Sequence, residues 1–315
     1  GHISTLAEIA EPDIGVVVNV GSAHIELLGS IENIAEAKSE LVRALPATGT
    51  AILNKDDLLV AKMSDSLNCE ICTFGEGQGS DFRASNLDIE PDGTTRFIIT
   101  HGGHSRQVHV QFVGQHYVSN ALAAVSVCVC AGVPFETACE LLSQVKVISK
   151  WRMEVTTAGN SVTVINDSYN ANPESMRAGL KTLAQYRSGE PDRRTWAVLG
   201  EMCELGEYSL DAHESIGRLA AQLNISRLVC VGQATRVMHL AAENEGVWGG
   251  ESAWVSDVDE ALELLARSLR AGDIVLVKAS RSIGLERVAS EVMGLSLSSL
   301  MTNLDAGNGR EQGNL

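Results

Sequence analysis

Basic residues are scarce in this chain of 315 residues: 24 lysines and arginines stand against 40 aspartates and glutamates, for a formal net charge of −16. That balance argues against a nucleic-acid surface, because no basic stripe is available to neutralise a run of phosphates. It leaves room for a nucleotide site, where a few backbone N–H groups and a metal ion suffice. Long apolar runs are missing as well. None approaches the ~20 residues of a membrane span, and the opening GHISTLAEIA has no basic region ahead of an apolar one, so no signal peptide is read. The seven cysteines are scattered and odd in number. Cys69 and Cys72 form a C-x-x-C, but the second pair that a zinc site needs is absent. Reduced thiols in a cytoplasmic protein are the expectation. There is no internal repeat and no initial methionine, and the chain opens close to a strand, which is read as a sign of truncation.

What is present is alternation of strands and helices. The length suffices for two domains with a core each, and 44% hydrophobic with 20% charged residues is ordinary for a globular protein. IGVVVNV, residues 14–20, reads as a buried parallel strand. SIENIAEAKSELVRAL reads as an amphipathic helix, with Ser30 as N-cap and Ile31, Ile34, Ala35, Leu41 and Leu45 on one face. TAILN, DDLLVAKMSDSL and CEICTFG continue as strand, helix and strand, the grammar of an open α/β sheet. DFRASNLDIEPDGTTRFIITHGGHSRQVHVQF then alternates in period two, broken by PDG and HGG, as antiparallel sheet does. Two helices follow, separated at Gly132 and Pro134. A second α/β run begins near Val162. Its strands are VTVIN, TWAVLG, RLVCVG and DIVLVKA, and its helices ESMRAGLKTLAQY, LDAHESIGRLAAQLN, VDEALELLARSL and GLERVASEVM. A domain boundary is expected near VISKW, residues 147–151, and a disordered tail over 301–315.

Open parallel sheets bind ligands beyond the carboxyl ends of their strands, so the polar residues just after strands carry the chemistry. In NVGSAHIELLGS, Asn19 ends a strand and His24 follows, with Lys38 in the next helix. A neutral imidazole can ligate a divalent cation and a lysine can approach phosphate; a loop histidine and a snorkelling lysine are the plainer alternative. In VGQHYVSNALAA, the carboxamide of Asn120 suits a purine edge, or simply a helix start. Arg152 in KWRME can pair with phosphate, and Asp167 in NDSYNANP, at a strand end, can accept from both hydroxyls of a ribose. Asn172 as N-cap and Pro173 at the first helical position account for part of that string, but not for Asp167, Tyr169 and Asn170 together. LGEMCELG follows another strand, and VKASRS puts Lys278, Ser280 and Arg281 beside a helix start, suited to a carboxylate or phosphate or else a solvated basic turn.

These five segments, in this order, resemble the Mur ligase family, and DSYNANP, GEMCELG and VKASRS look most like its member that joins D-alanyl-D-alanine to a UDP-N-acetylmuramoyl-tripeptide. The resemblance runs from residue 1 to about 293. It implies an α/β fold: over 1–149 the C-terminal part of a P-loop-type central ATPase domain, a parallel sheet plus a small antiparallel sheet, and over 150–300 a Rossmann-like α/β domain. The family's G-T-x-G-K-[ST] phosphate loop, its upstream magnesium-holding glutamate and its UDP-binding domain are absent, and the chain is expected to be inactive alone.

The implied reaction is ATP-driven amide synthesis through an acyl phosphate, in the cytoplasm, with ATP and magnesium as cofactors and a monomer favoured. On this resemblance His24 ligates magnesium and Lys38 becomes a carbamate that binds the second magnesium, an anion in place of an ammonium. Asn120 contacts adenine, Arg152 reaches ATP phosphate and Asp167 holds the ribose. Tyr169, Asn170 and Asn172 stand near the reacting groups, and Lys278, Ser280 and Arg281 face the incoming dipeptide or the acyl phosphate. One departure is Tyr117, which takes the place of the asparagine in the family's G-x-H-N. Another Mur or folylpolyglutamate-type ligase, and a non-catalytic nucleotide-binding fragment, are the alternatives.

Overall fold

The computed structural model describes residues 1–22, 25–90, 93–114, 116–146, 149–159, 161–188, 193–246 and 248–294. His24, Pro91 and Asp92 of the PDG turn, Val147 and Ile148 at the expected boundary, and the expected tail over 301–315 lie outside them. The chain divides into two units, Gly1–Val147 and Ile148–Leu315.

In the first unit the elements run α1 (His2–Ala10), β1 (Ile14–Val17), α2 (Ile25–Leu28), α3 (Ile31–Arg43), β2 (Thr50–Asn54), α4 (Leu58–Ala61), β3 (Glu70–Gly75), β4 (Phe82–Ile89), β5 (Thr95–His101), β6 (His104–Val110), α5 (His116–Cys130) and α6 (Phe135–Leu142). The six strands form one sheet in chain order. Strands β1 to β4 pair parallel and β4 to β6 antiparallel. The antiparallel part is therefore not a separate small sheet, as expected, but a continuation of the parallel one. The join is short: β3 meets β4 only at Phe74↔Phe82 and Gly75↔Arg83. A parallel pair ordinarily needs a crossover of about a dozen residues. Here the tip of one strand touches the start of the next, and Asp81 fixes the turn by accepting from the N–H and hydroxyl of Thr73. The β5–β6 hairpin turns on Gly102 and Gly103, both at positive φ, which a two-residue turn of this hand requires.

Ser30 caps α3 as expected, its Oγ accepting from the Asn33 N–H at 3.2 Å. Val42 buries against the sheet with Ala51 and Leu53, and Ile34 is buried as well, whereas Ile31 is exposed. The opposite face carries α5 over Ile52, Phe74, Phe82, Phe97 and Ile99.

The second unit runs β7 (Glu154–Thr157), β8 (Thr163–Asn166), α7 (Pro173–Ser188), β9 (Thr195–Leu199), α8 (Ser209–Gln222), β10 (Arg227–Val231), α9 (Arg236–Glu243), β11 (Glu251–Val255), α10 (Val258–Ser268), β12 (Ile274–Lys278) and α11 (Glu286–Gly294). Its sheet has the order β11-β10-β9-β12-β8-β7, parallel except for the edge strand β7. Every residue of β8, β9 and β12 is buried, which explains their unbroken apolar text: helices cover both faces. Val275 and Val277 face the layer of α10 and α11, while Leu276 lies against Gly179 of α7. Where α8 crosses α9 the backbones nearly touch, and a Cβ at Gly217 would sit 2.0 Å from the Met238 carbonyl oxygen. Among the described residues no helix is long and apolar enough to cross a membrane.

Candidate active site

Strands β9, β12 and β8 lie side by side, so their carboxyl ends deliver the loops GEMCELG, ASRS and DSYNANP to one edge of the second sheet. Asp167 leaves β8 with its N–H on the Val277 carbonyl, 2.9 Å. Its Oδ2 accepts from Lys278 Nζ at 2.6 Å and its Oδ1 from the Met153 N–H at 3.0 Å. Lys278 Nζ also donates to the Asn170 carbonyl at 2.8 Å. Lys278 was expected to face an incoming substrate. It is instead 2% exposed and turned onto Asp167 and Asn170. The physical reason is its place at the end of a fully buried central strand, where an ammonium must be paired. Asp167 keeps acceptor capacity, since each carboxylate oxygen has two lone-pair sites.

Ser280, also expected to face substrate, is 4% exposed and works between the loops. Its Oγ accepts from the Cys203 N–H at 2.8 Å and donates to the Ala171 carbonyl at 3.4 Å, while its own N–H donates to the Glu201 carbonyl at 3.0 Å. One serine thus joins all three loops. Glu201 reaches a fourth, accepting from the Ala234 N–H at 2.8 Å. That contact leaves Gly232, at φ 99°, no room for a Cβ, which would fall 2.8 Å from Glu201 Oε1. Behind GEMCELG, His213 is fully buried and its Nε2 accepts from the Met202 N–H at 3.0 Å. Nδ1 therefore carries the proton and donates to the Ser209 carbonyl at 2.7 Å. Burial holds this imidazole's pKa below its ordinary value.

Two guanidinium groups at this edge lie on aromatic faces. Arg152 sits 4.1 Å from the centre of the Tyr169 ring and Arg281 4.0 Å from that of Trp151. The Tyr169 N–H donates to the Trp151 carbonyl at 3.0 Å, which ties the two stacks together. Such stacking orients a guanidinium without using its N–H donors. Arg281 also pairs with Glu286 at 2.8 Å. Asn172 Oδ1 caps α7 through the Ser175 N–H at 2.8 Å, and Asn170 Oδ1 accepts from the Ala171 N–H at 2.8 Å. The edge thus brings together Arg152, Asp167, Tyr169, Asn170, Asn172, Lys278, Ser280 and Arg281 within the second unit.

In the first unit Lys38 Nζ donates to the Asn19 carbonyl at 2.7 Å, beside a cavity of about 240 Å³ lined also by Val16, Val18 and Leu41. Two residues that the sequence reading passed over hold the loop after β1. Asn54 Nδ2 donates to the Val18 carbonyl at 2.8 Å and to Ser119 Oγ at 3.3 Å. Asp57 Oδ2 accepts from the Val20 N–H at 2.7 Å while its Oδ1 caps α4. Asn54 ends β2 and Asp57 lies three residues beyond it, so the strand-end rule would have found them. Asn120 is exposed in the first turns of α5. Tyr117 stacks on Phe112 at 5.1 Å, with the His116 ring 4.4 Å away. Among the described residues no group of three or more histidine, cysteine, aspartate or glutamate side chains can hold a metal ion. Lys38 as an ammonium donates to the Asn19 carbonyl and cannot ligate magnesium; only conversion to an anionic carbamate would give it ligating oxygens.

Two family models match the chain, the Mur ligase middle domain over residues 1–128 and the Mur ligase glutamate ligase domain over residues 151–281. The chain belongs to the Mur ligase family. Among individual proteins, it is 43% identical over 307 residues to the UDP-N-acetylmuramoyl-tripeptide–D-alanyl-D-alanine ligase of Mycobacterium bovis, covering 93% of this chain and 60% of that protein. It is 34% identical over 294 residues to the ligase of the same name from Synechocystis, with 93% and 60% covered. A crystal structure of MurF from Acinetobacter baumannii overlays with a TM-score of 0.81 at 29% identity, covering 93% of this chain and 62% of that one. The chain spans about 60% of the length of these curated relatives.

Proposed function

We propose that the protein is an ATP-dependent ligase of peptidoglycan precursor synthesis that joins D-alanyl-D-alanine to a UDP-N-acetylmuramoyl-tripeptide. The tripeptide's terminal carboxylate attacks the γ-phosphorus of ATP, the bond to the ADP oxygen breaks, and an acyl phosphate forms. The dipeptide's amine then adds to that carbonyl, loses its proton, and phosphate leaves as the amide closes. Each stage crowds anions together, so fixed cations aimed at them lower the barrier.

The observation that carries this reading is the joining of DSYNANP, GEMCELG and ASRS at one strand edge through Ser280. On this reading, Arg152 meets ATP phosphate from its seat on Tyr169, Asp167 accepts from the ribose hydroxyls, and Arg281 meets the dipeptide carboxylate or the acyl phosphate. Asn170, Asn172 and Tyr169 border the reacting groups. Lys278 and Ser280 become positioning residues, holding Asp167 and the loops. In the first unit Lys38 is the residue proposed to carry a carbamate, His24 to ligate magnesium and Asn120 to contact adenine.

The test is phosphate release by the full-length gene product with ATP and UDP-N-acetylmuramoyl-tripeptide. Turnover should require D-alanyl-D-alanine. Turnover with single amino acids in place of the dipeptide would sink the reading.

A further inference from the structure

A second pocket lies at the opposite edge of the same sheet. Where β9, β10 and β11 begin, α10 closes over them and leaves a cavity of about 300 Å³. Its floor is apolar, made by Trp196, Leu228, Val229 and Leu269, none more than 1% exposed. Its rim carries four guanidinium groups, Arg194, Arg227, Arg267 and Arg270, against one acid, Glu251. A chain with a net charge of −16 has gathered four of its 24 basic side chains around one small space.

The inner wall is rigid. Asp273, 2% exposed, accepts from Arg194 Nε at 2.9 Å and Nη2 at 2.6 Å, from Trp196 Nε1 at 2.9 Å and from the Arg270 N–H at 2.9 Å. Arg194 Nη2 also donates to the Ser268 carbonyl at 3.0 Å, which occupies the negative end of α10. Arg194 is thereby neutralised and structural. The other three are loosely committed. Arg227 pairs with Glu251, whose side chain is 73% exposed. Arg267 lies 3.6 Å from the Glu263 carboxylate with both side chains exposed, and its Nε donates to the Glu263 carbonyl at 3.0 Å, which leaves its Nη groups for an anion. Arg270 is exposed and pairs with no carboxylate among the described residues. Exposed pairs of this kind contribute little and give way to a better anion.

We propose that this cavity binds a small phosphorylated molecule, its phosphate held by Arg227, Arg267 and Arg270 and its uncharged part resting on the Trp196–Leu269 floor. Guanidinium forks match phosphate oxygens in geometry and are weakly hydrated, so they favour phosphate over chloride. The volume is at the small end of ligand sites, which run to about 1,000 Å³, and so selects a compact mono- or diphosphate. The pocket is separated from the loops after β9 by the length of that strand, about 13 Å at ~3.3 Å per residue, so its occupant would not compete with the reaction.

The chain is titrated calorimetrically with inorganic pyrophosphate at constant ionic strength. A saturable site is expected. The Arg267→Ala/Arg270→Ala double variant, altered only at exposed positions, should bind at least about tenfold more weakly, two charge-assisted forks having been lost. Glu251→Gln should bind more tightly, because the carboxylate competing for Arg227 is gone. No saturable binding by the unaltered chain, or unchanged affinity in the double variant, overturns the proposal.

Discussion

Replacing Lys278 with methionine keeps the aliphatic stem packed and removes the ammonium. Two groups lose their partner: the Asp167 carboxylate, accepting at 2.6 Å, and the Asn170 carbonyl, accepting at 2.8 Å. Breaking a buried pair from one side costs about 3–5 kcal/mol, because an uncompensated charge stays behind. The Asp167 side chain is 15% exposed and keeps its bond from Met153, so water can partly replace the lysine. The loss should fall at the lower end, about 3 kcal/mol. All four tryptophans, Trp151, Trp196, Trp248 and Trp254, lie in the second unit, so their fluorescence reports its unfolding without interference from the first. With a urea slope of about 1–3 kcal/mol per molar, the midpoint should drop by about 1–3 M. Adding Asp167→Asn to Lys278→Met should recover part of the loss, since the orphaned charge is then gone. A drop under about 1 kcal/mol, or two substitutions that simply add, would refute the claim that this pair holds the edge of the site together.

Four further outcomes are expected, two from the structure and two from the proposed function. His213 is held neutral by burial, so its folded pKa lies below 6.5 and the unfolded chain binds more protons as pH falls; urea midpoints of the second unit should be flat above about pH 7 and decline below 6.5, and a midpoint rising on acidification would contradict the tautomer assigned here. Gly217→Ala forces a methyl against the Met238 carbonyl and should lower stability by about 1–3 kcal/mol or more, visible as a shifted thermal midpoint with the fold's circular dichroism retained. In the full-length gene product, Asp167→Asn should raise the apparent KM for ATP more than it lowers kcat; unchanged ATP dependence would remove the ribose role. Lys38→Ala should lose most activity and regain part of it with a short-chain carboxylic acid, whereas undiminished turnover would eliminate the carbamate.

Much of the α/β alternation was legible because the central strands of the second unit are buried on both faces, β4 and β5 alternate buried with more exposed residues, and α3, α8 and α10 carry periodic apolar stripes. Ser30 and Asn172 were readable as caps because capping is a local interaction. Edge elements were not. β7 and β11 are short and partly exposed, and α9, though one-sided, has only eight residues, too few for its period to repeat convincingly. The strand-end rule located the site loops but not the direction of their side chains. Lys278 and Ser280 read as substrate contacts because a lysine and a serine after a strand look alike whether they face solvent or a neighbouring loop. What decides is the strand order, which sets β12 between β8 and β9 and so surrounds both residues. Nothing local encodes that. The fusion of the antiparallel strands to the parallel sheet was hidden for the same reason: two residue pairs accomplish it.

That narrow seam bears on how the first unit assembles. On one side, β4, β5 and β6 zip through partners close in sequence, Thr95↔Val110 and His101↔His104 among them. On the other, β1 must find β2 across the span that separates Ile14 from Thr50. Nearby partners form fast and distant ones slowly, so the meander is placed to become ordered first and to offer its edge as a template. The parallel strands would then add to it one at a time, with Phe74 and Phe82 as the point of attachment.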